Sequence, residues 1–209
     1  MDAAERLRHV REHLAWDDLA PVAIGPVEGA ALREWVCSEG ARQTLETGLG
    51  YAVSTLFICE GLFANRGDVS HVAIDPQLPN SHVDAGLHTL EEAGVRELVE
   101  FHAEGSELVL PRLLDEGRRR FDLAFIDGNH RFEGVFLDLV YCHRLLGPGA
   151  VVFADDMQLP AVRKATAFCV SNLGWTVEDD GHEGEHEWAV LRIGPPEAYD
   201  RPFDCFADF

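Results

Sequence analysis

Residues 44–55 read TLETGLGYAVST: an apolar run, a turn holding Gly48 and Gly50, and then a stretch with the character of a helix. Glycines in such a turn let backbone N–H groups approach a ligand without an intervening side chain. A dinucleotide fingerprint would need its third glycine at position 53, and Val53 stands there. Close helix–strand approach over a pyrophosphate is therefore not signalled. The turn calls for a ligand other than NAD, or for a tight connection with no ligand at all.

Outward from this turn, short β-branched runs alternate with longer amphipathic stretches, the pattern of βαβ units. Strands are expected at 43–47, 70–75, 97–101, 121–126 and 149–154, with helices at 53–64, 81–93, 106–118, 131–146 and 159–173. Two more helices precede them, near 2–16 and 27–40. The sequence GPG at 147–149 is a helix stop. WTVEDD and HEWAVLRI, flanking a Gly/His/Glu loop, predict a closing hairpin of strands. This order predicts an α/β fold with a mainly parallel, twisted sheet covered on both faces, and with ligands at the C-terminal ends of the strands.

Polar residues gather at those ends. The first strand leads into Glu46, Gly48 and Gly50. The second ends in Asp75, and Pro76 stops it where a carboxylate could take both hydroxyls of a ribose. The third leads to Gly105, Ser106 and Glu107, which could edge an adenine. The fourth leads to IDGNH, residues 126–130, and the fifth ends in Asp155 and Asp156. With Asp127, these last two place three carboxylates at neighbouring strand ends, an arrangement that is costly unless a cation sits among them. Oxygen ligands favour Mg²⁺, Mn²⁺ or Ca²⁺. A simpler use of Asp155 or Asp156 is to cap the helix that follows.

The bulk numbers narrow the partners. Seventeen basic residues against 37 acidic ones give a net charge of -20, which repels nucleic acid and anionic membranes alike. No apolar run approaches the roughly 18 residues of a membrane span, and the charged start MDAAERLRHVREHLAW is unlike a signal peptide. Cys37, Cys59, Cys142, Cys169 and Cys205 are scattered with no CxxC pair, which points to inert thiols in a reducing cytoplasm.

Taken in order, LETGLGYAVSTLFI, HVAIDPQ, EGSELVLP, FDLAFIDGNHRFEGVFLDL and LLGPGAVVFADDM resemble a class I S-adenosylmethionine-dependent methyltransferase. The likeness is to the mostly bacterial group related to the metal-dependent catechol and caffeoyl-CoA O-methyltransferases, and it covers roughly residues 27–193. It implies a Rossmann-like, doubly wound, seven-stranded sheet with an antiparallel C-terminal strand. It also implies that Glu46, Thr47, Gly48, Gly50 and Tyr51 line the methionine and sugar side of S-adenosylmethionine. Ser54 would then lie near its carboxylate, Asp75 on the ribose, Gly105, Ser106 and Glu107 at the adenine, and Asp127 at the edge of the cofactor.

The same resemblance implies a divalent metal at Asp127, Asp155 and Asp156, the last standing where the relatives carry asparagine. His130 occupies a position often taken by a basic lysine and is suited to accept a proton near neutral pH. Ala52 stands where a glycine is usual. The expectation is one methyltransferase domain over 1–209, with N-terminal helices over 1–40, a cofactor-binding core over 41–193 and a tail over 194–209. Its substrate would be a small-molecule acceptor and its assembly a homodimer. A metal-independent transferase, a nicotinamide oxidoreductase and a non-catalytic module on the same fold stay open as alternatives. His182 and His186, in GHEGEHEW, are expected in a solvated loop. Tyr199, Phe203, Phe206 and Phe209 are expected to cover a sheet edge or a dimer neighbour.

Overall fold

Among the described residues, seven strands form one sheet in the order β3-β2-β1-β4-β5-β7-β6. The computed structural model describes residues 2–19, 22–65, 67–78, 82–117, 120–200, 202 and 204–209. Ser81 and Arg118, at the ends of two expected helices, lie outside the described residues, as do Phe203 and the Tyr199 side chain. The chain divides into two compact units, 1–105 and 106–209.

In the first unit β1 (Gln43–Thr47) pairs in parallel with β2 (Ser70–Ile74), and β2 with β3 (Val99–His102). β3 starts later than expected because Arg96–Leu98 forms a 3-10 turn first. The helix after β1, α4 (Val53–Ala64), is buried along most of its length. Its neighbour α3 (Pro26–Ser38) approaches it closely because a Cβ on Gly29 would overlap Phe57 and one on Gly61 would overlap Val36. α1 (Ala3–Glu12) begins with a capping box in which Asp2 and Glu5 satisfy each other's backbone N–H. Its Arg6 donates to the carbonyls of Glu92 and Glu91 at the C-terminal end of α5 (Val83–Ala93), where a cation complements the helix dipole. A short α2 (Trp16–Leu19) sets the Trp16 ring 6.5 Å from that of Phe57.

In the second unit β4 (Phe121–Ile126) pairs in parallel with β5 (Leu146–Ala154). β7 (His186–Arg192) runs antiparallel to β5 and to β6 (Thr176–Glu183), which lies at one end of the sheet and is exposed along most of its length. The expected mainly parallel sheet with an antiparallel C-terminal strand is the one observed. α6 (Ser106–Asp115), α7 (Phe132–Leu145) and α8 (Pro160–Leu173) complete the unit. The GPG segment follows the end of α7 and opens β5.

The GHEGEHEW stretch is mostly strand. Gly181 pairs with Trp188, whose ring lies where a side chain at 181 would be, so the hairpin closes up to a turn at Gly184 (φ 65°). Asn172 on α8 exchanges two 2.9 Å hydrogen bonds with the Ala207 backbone, holding the tail where Phe206 and Phe209 meet Phe168. No helix among the described residues is long and apolar enough to cross a membrane.

Candidate functional site

The turn after β1 is built from positive-φ residues: Gly48 (φ 90°), Gly50 (φ 47°) and Ala52 (φ 63°). Two anchors hold it. Leu49 and Ala52 insert into an apolar cluster with Leu7, Leu56, Leu90 and Val99, and Asp75 Oδ2 accepts the N–H groups of Leu49 (2.8 Å) and Gly50 (3.1 Å). Asp75 Oδ1 takes no hydrogen bond among the described residues. Thr47 Oγ1, buried at the end of β1, likewise has no partner there. Tyr51 stacks on His82 with ring centroids 4.2 Å apart.

Ala52 is the N-cap of α4 and offers no side-chain cap. The N–H groups of Val53, Ser54 and Thr55 therefore meet no acceptor among the described residues, although all three residues are buried. A buried helix start left in this way has donors that could receive an anion. Glu46 does not serve as the missing acceptor for those N–H groups. Fully buried, its carboxylate accepts the Ser54 hydroxyl, the Thr55 hydroxyl (2.6 Å) and His71 Nε2–H (3.0 Å).

Within the second unit, Ser106 and Glu107 open α6, half-buried and exposed respectively. Asp127 follows β4. The next residues fold back because Asn129 Oδ1 accepts the Arg131 N–H at 3.0 Å, and Gly134 leaves room for the Asn129 side chain. This brings His130 Nε2 to 3.2 Å from Asp127 Oδ1 and 3.0 Å from Asp156 Oδ2.

Asp156, after β5, takes a left-handed backbone (φ 58°), a conformation aspartate tolerates better than most residues. Its N–H donates to Asp155 Oδ1 at 2.5 Å, and its Oδ1 accepts the Gln158 amide. The hairpin docks on this turn: Met157 N–H donates to the Glu187 carbonyl (2.7 Å) and Glu187 N–H to Gln158 Oε1 (2.8 Å). His186 Nδ1 then lies 3.9 Å from Asp156 Oδ1. Among the described residues, the group whose ligand atoms converge within 4.8 Å is Asp127, His130 and Asp156. Two of the three expected carboxylates thus meet at one point with an imidazole, and buried Asp155 stands behind them.

Burial pushes the Asp127 carboxyl up to about 8; the Asp155 and Asp156 charges add to the rise and the His130 hydrogen bond opposes it. The hydrogen bond to Asp127 raises the His130 imidazole, burial pulls the other way, and the three carboxylates add to the rise. The group is short of positive charge, and its oxygen and nitrogen donors suit a divalent cation.

His71, Thr55, Gly86 and His186 were not singled out from the sequence as site residues. His71 carried one signal, a lone imidazole inside the apolar strand SHVAI. His186 carried none linking it to Asp156, since a whole helix and strand separate them.

Residues 45–157 match the model of a methyltransferase domain, more than half of the chain. The chain belongs to this methyltransferase family. A Mycolicibacterium smegmatis protein with a provisional O-methyltransferase name is 30% identical over 165 residues, covering 71% of this chain and 73% of the relative. A catechol O-methyltransferase of Niastella koreensis is 25% identical over 144 residues, 69% of this chain but 62% of the relative. The chain thus spans less than two thirds of that enzyme's length.

Two solved structures share the methyltransferase fold. An O-methyltransferase from Bacillus cereus, in complex with SAH, superposes with a TM-score of 0.73 at 19% identity over 93% of this chain and 92% of that one. TomG of Streptomyces achromogenes, involved in tomaymycin synthesis and in complex with SAM, gives 0.73 at 21% identity over 93% and 91%.

Proposed function

We propose that this methyltransferase moves the methyl group of S-adenosylmethionine to a hydroxyl of a small acceptor, with a divalent cation held by Asp127 and Asp156 and with buried Asp155 behind them. The convergence of Asp127, His130 and Asp156 carries the proposal. The O-methyltransferase names of the relatives support it, as do the SAH and SAM bound in structures of the same fold.

In the first unit, the glycine turn and the unpartnered N–H groups of α4 receive the cofactor's amino-acid end. Asp75 divides its work, one oxygen holding the turn and the other open to the ribose hydroxyls. In the second unit, Asp127 and Asp156 would hold the cation, with Asp155 behind them. When bound, such a cation lowers the pKa of a hydroxyl in contact with it. His130, 44% exposed and oriented by Asp127, accepts the acceptor's proton, a step worth on the order of 10²- to 10⁴-fold.

The deciding experiment is methyl transfer from labelled S-adenosylmethionine to a panel of small hydroxyl compounds beginning with catechol, with and without EDTA, beside calorimetric titration of S-adenosylmethionine. Absence of S-adenosylmethionine binding would sink the cofactor assignment. Turnover untouched by EDTA would select a metal-independent transferase, a reading favoured by the two contacts through which His130 already satisfies the carboxylates without an ion.

A further inference from the structure

Thr44, Glu46 and His71 form a fully buried polar thread in the first unit that the proposed chemistry does not use. Parallel register sets Thr44 opposite His71. The imidazole is held between Thr44 Oγ1, 2.9 Å from Nδ1, and Glu46 Oε2, 3.0 Å from Nε2. Both ring nitrogens are engaged, and Nε2–H donates to the carboxylate that also accepts the Ser54 and Thr55 hydroxyls. Those two residues are the second and third of α4, so the Glu46 carboxylate is buried against the first turn of that helix, whose leading N–H groups are unpartnered among the described residues.

Such an anion persists in a core only where donors surround it. It also opposes any second anion brought to the same helix start, because charges interact strongly in a poorly polarisable interior. We propose that His71 is a positioning residue for the cofactor's amino-acid carboxylate: its Nε2–H holds and offsets Glu46, leaving the α4 N-terminus able to accept that carboxylate. This rests on the reading that S-adenosylmethionine binds at the glycine turn. The histidine acts through Glu46 and touches no ligand itself.

The test is calorimetric titration of the full chain with two probes, S-adenosylhomocysteine, which carries the carboxylate, and methylthioadenosine, which lacks it. In His71→Asn the amide is too short to reach Glu46. Its affinity for S-adenosylhomocysteine is expected to fall about tenfold, the ratio set by the loss of one hydrogen bond to a charged group. Affinity for methylthioadenosine should stay within about twofold. His71→Gln, whose longer amide restores the donor, recovers most of the loss. Thr44→Val frees the ring without removing it and should show the same selective loss at about threefold, so it carries the test if the Asn variant does not fold.

Equal loss for both probes overturns the proposal, since that is what a merely structural histidine gives; so does no loss for either. A wild-type protein that fails to bind S-adenosylhomocysteine overturns the cofactor reading instead. The two failures are told apart because the second needs no substitution.

Discussion

Gly86 on α5 lies so close to the Gly50 carbonyl oxygen that a Cβ added there would overlap it and press on the Ala52 N–H. The helix thus serves as the floor of the glycine turn. Gly86→Ala should push the turn outward and cost about 1–3 kcal/mol, as overpacking does. A melting temperature lower by roughly 2–4 °C per kcal/mol, together with weaker S-adenosylmethionine binding, is the expected outcome. An unchanged melting curve would contradict it.

Ala52 makes the opposite case. Its left-handed backbone costs on the order of 1–2 kcal/mol, while its methyl, fully buried in the apolar cluster, contributes about 0.8 kcal/mol. Ala52→Gly exchanges one effect for the other, with the glycine's added unfolded-state entropy weighing against it. Chemical denaturation should place the variant within about 1 kcal/mol of the parent.

Asp127 ties stability to pH. Its carboxyl is raised by burial to about 8 in the folded chain, against roughly 3.9 unfolded. The folded state therefore keeps a proton that the unfolded state gives up, and this contribution is full below about pH 4 and lost as pH rises through about 8. Asp127→Asn escapes that loss and also gives up the His130 partner that helps at lower pH. In EDTA its melting temperature should gain on the parent steadily between pH 5 and pH 8. A difference that stays flat over that interval would show that the carboxyl is not raised.

Asp156 carries the cation prediction. Asp156→Ala removes a convergent ligand and the acceptor of the Gln158 amide. Mn²⁺ affinity, read by calorimetry or by the electron paramagnetic resonance signal of free ion, should fall at least about tenfold. Equal Mn²⁺ binding in parent and variant would remove Asp156 from the site.

Asn172 holds the tail through two hydrogen bonds to the Ala207 backbone. Asn172→Ala leaves those groups without their side-chain partner, at a cost of about 1–3 kcal/mol. Limited proteolysis should cut the final residues of the variant well before the rest of the chain. Equal resistance in parent and variant would mean that the aromatic contacts of Phe206 and Phe209 suffice.

Much of this was legible in the sequence because it is local. Periodicity placed β1, α4 and β4 at their observed bounds, since each is a single uninterrupted pattern closed by a turn signal. Strand ends drew Asp75, Asp127 and Asp156 out as candidates because each carboxylate closes an apolar run, where a strand's end meets solvent. What stayed hidden depends on register. The contact of His71 with Glu46 follows from which residue of β2 lies opposite Thr44. His186 reaches Asp156 only once the hairpin docks on the Asp156–Gln158 turn. The closing hairpin was expected, but its tip, GHEGEHEW, read as a loop because that acidic, glycine-bearing stretch has low strand propensity, which the Trp188–Gly181 pairing overrides.

β6 ends the sheet, and along it stand Glu178, Asp179, Asp180 and Glu183. An outermost strand offers unpaired N–H and carbonyl groups that another chain's strand could join. On this one, a second copy laid alongside would bring its own acidic row against the first, and the repulsion would grow with every residue paired. The strand that gives the hairpin its outer wall is therefore also a barrier to edge-to-edge growth of the sheet into fibres. That barrier should weaken where acid or high salt neutralises or screens the row.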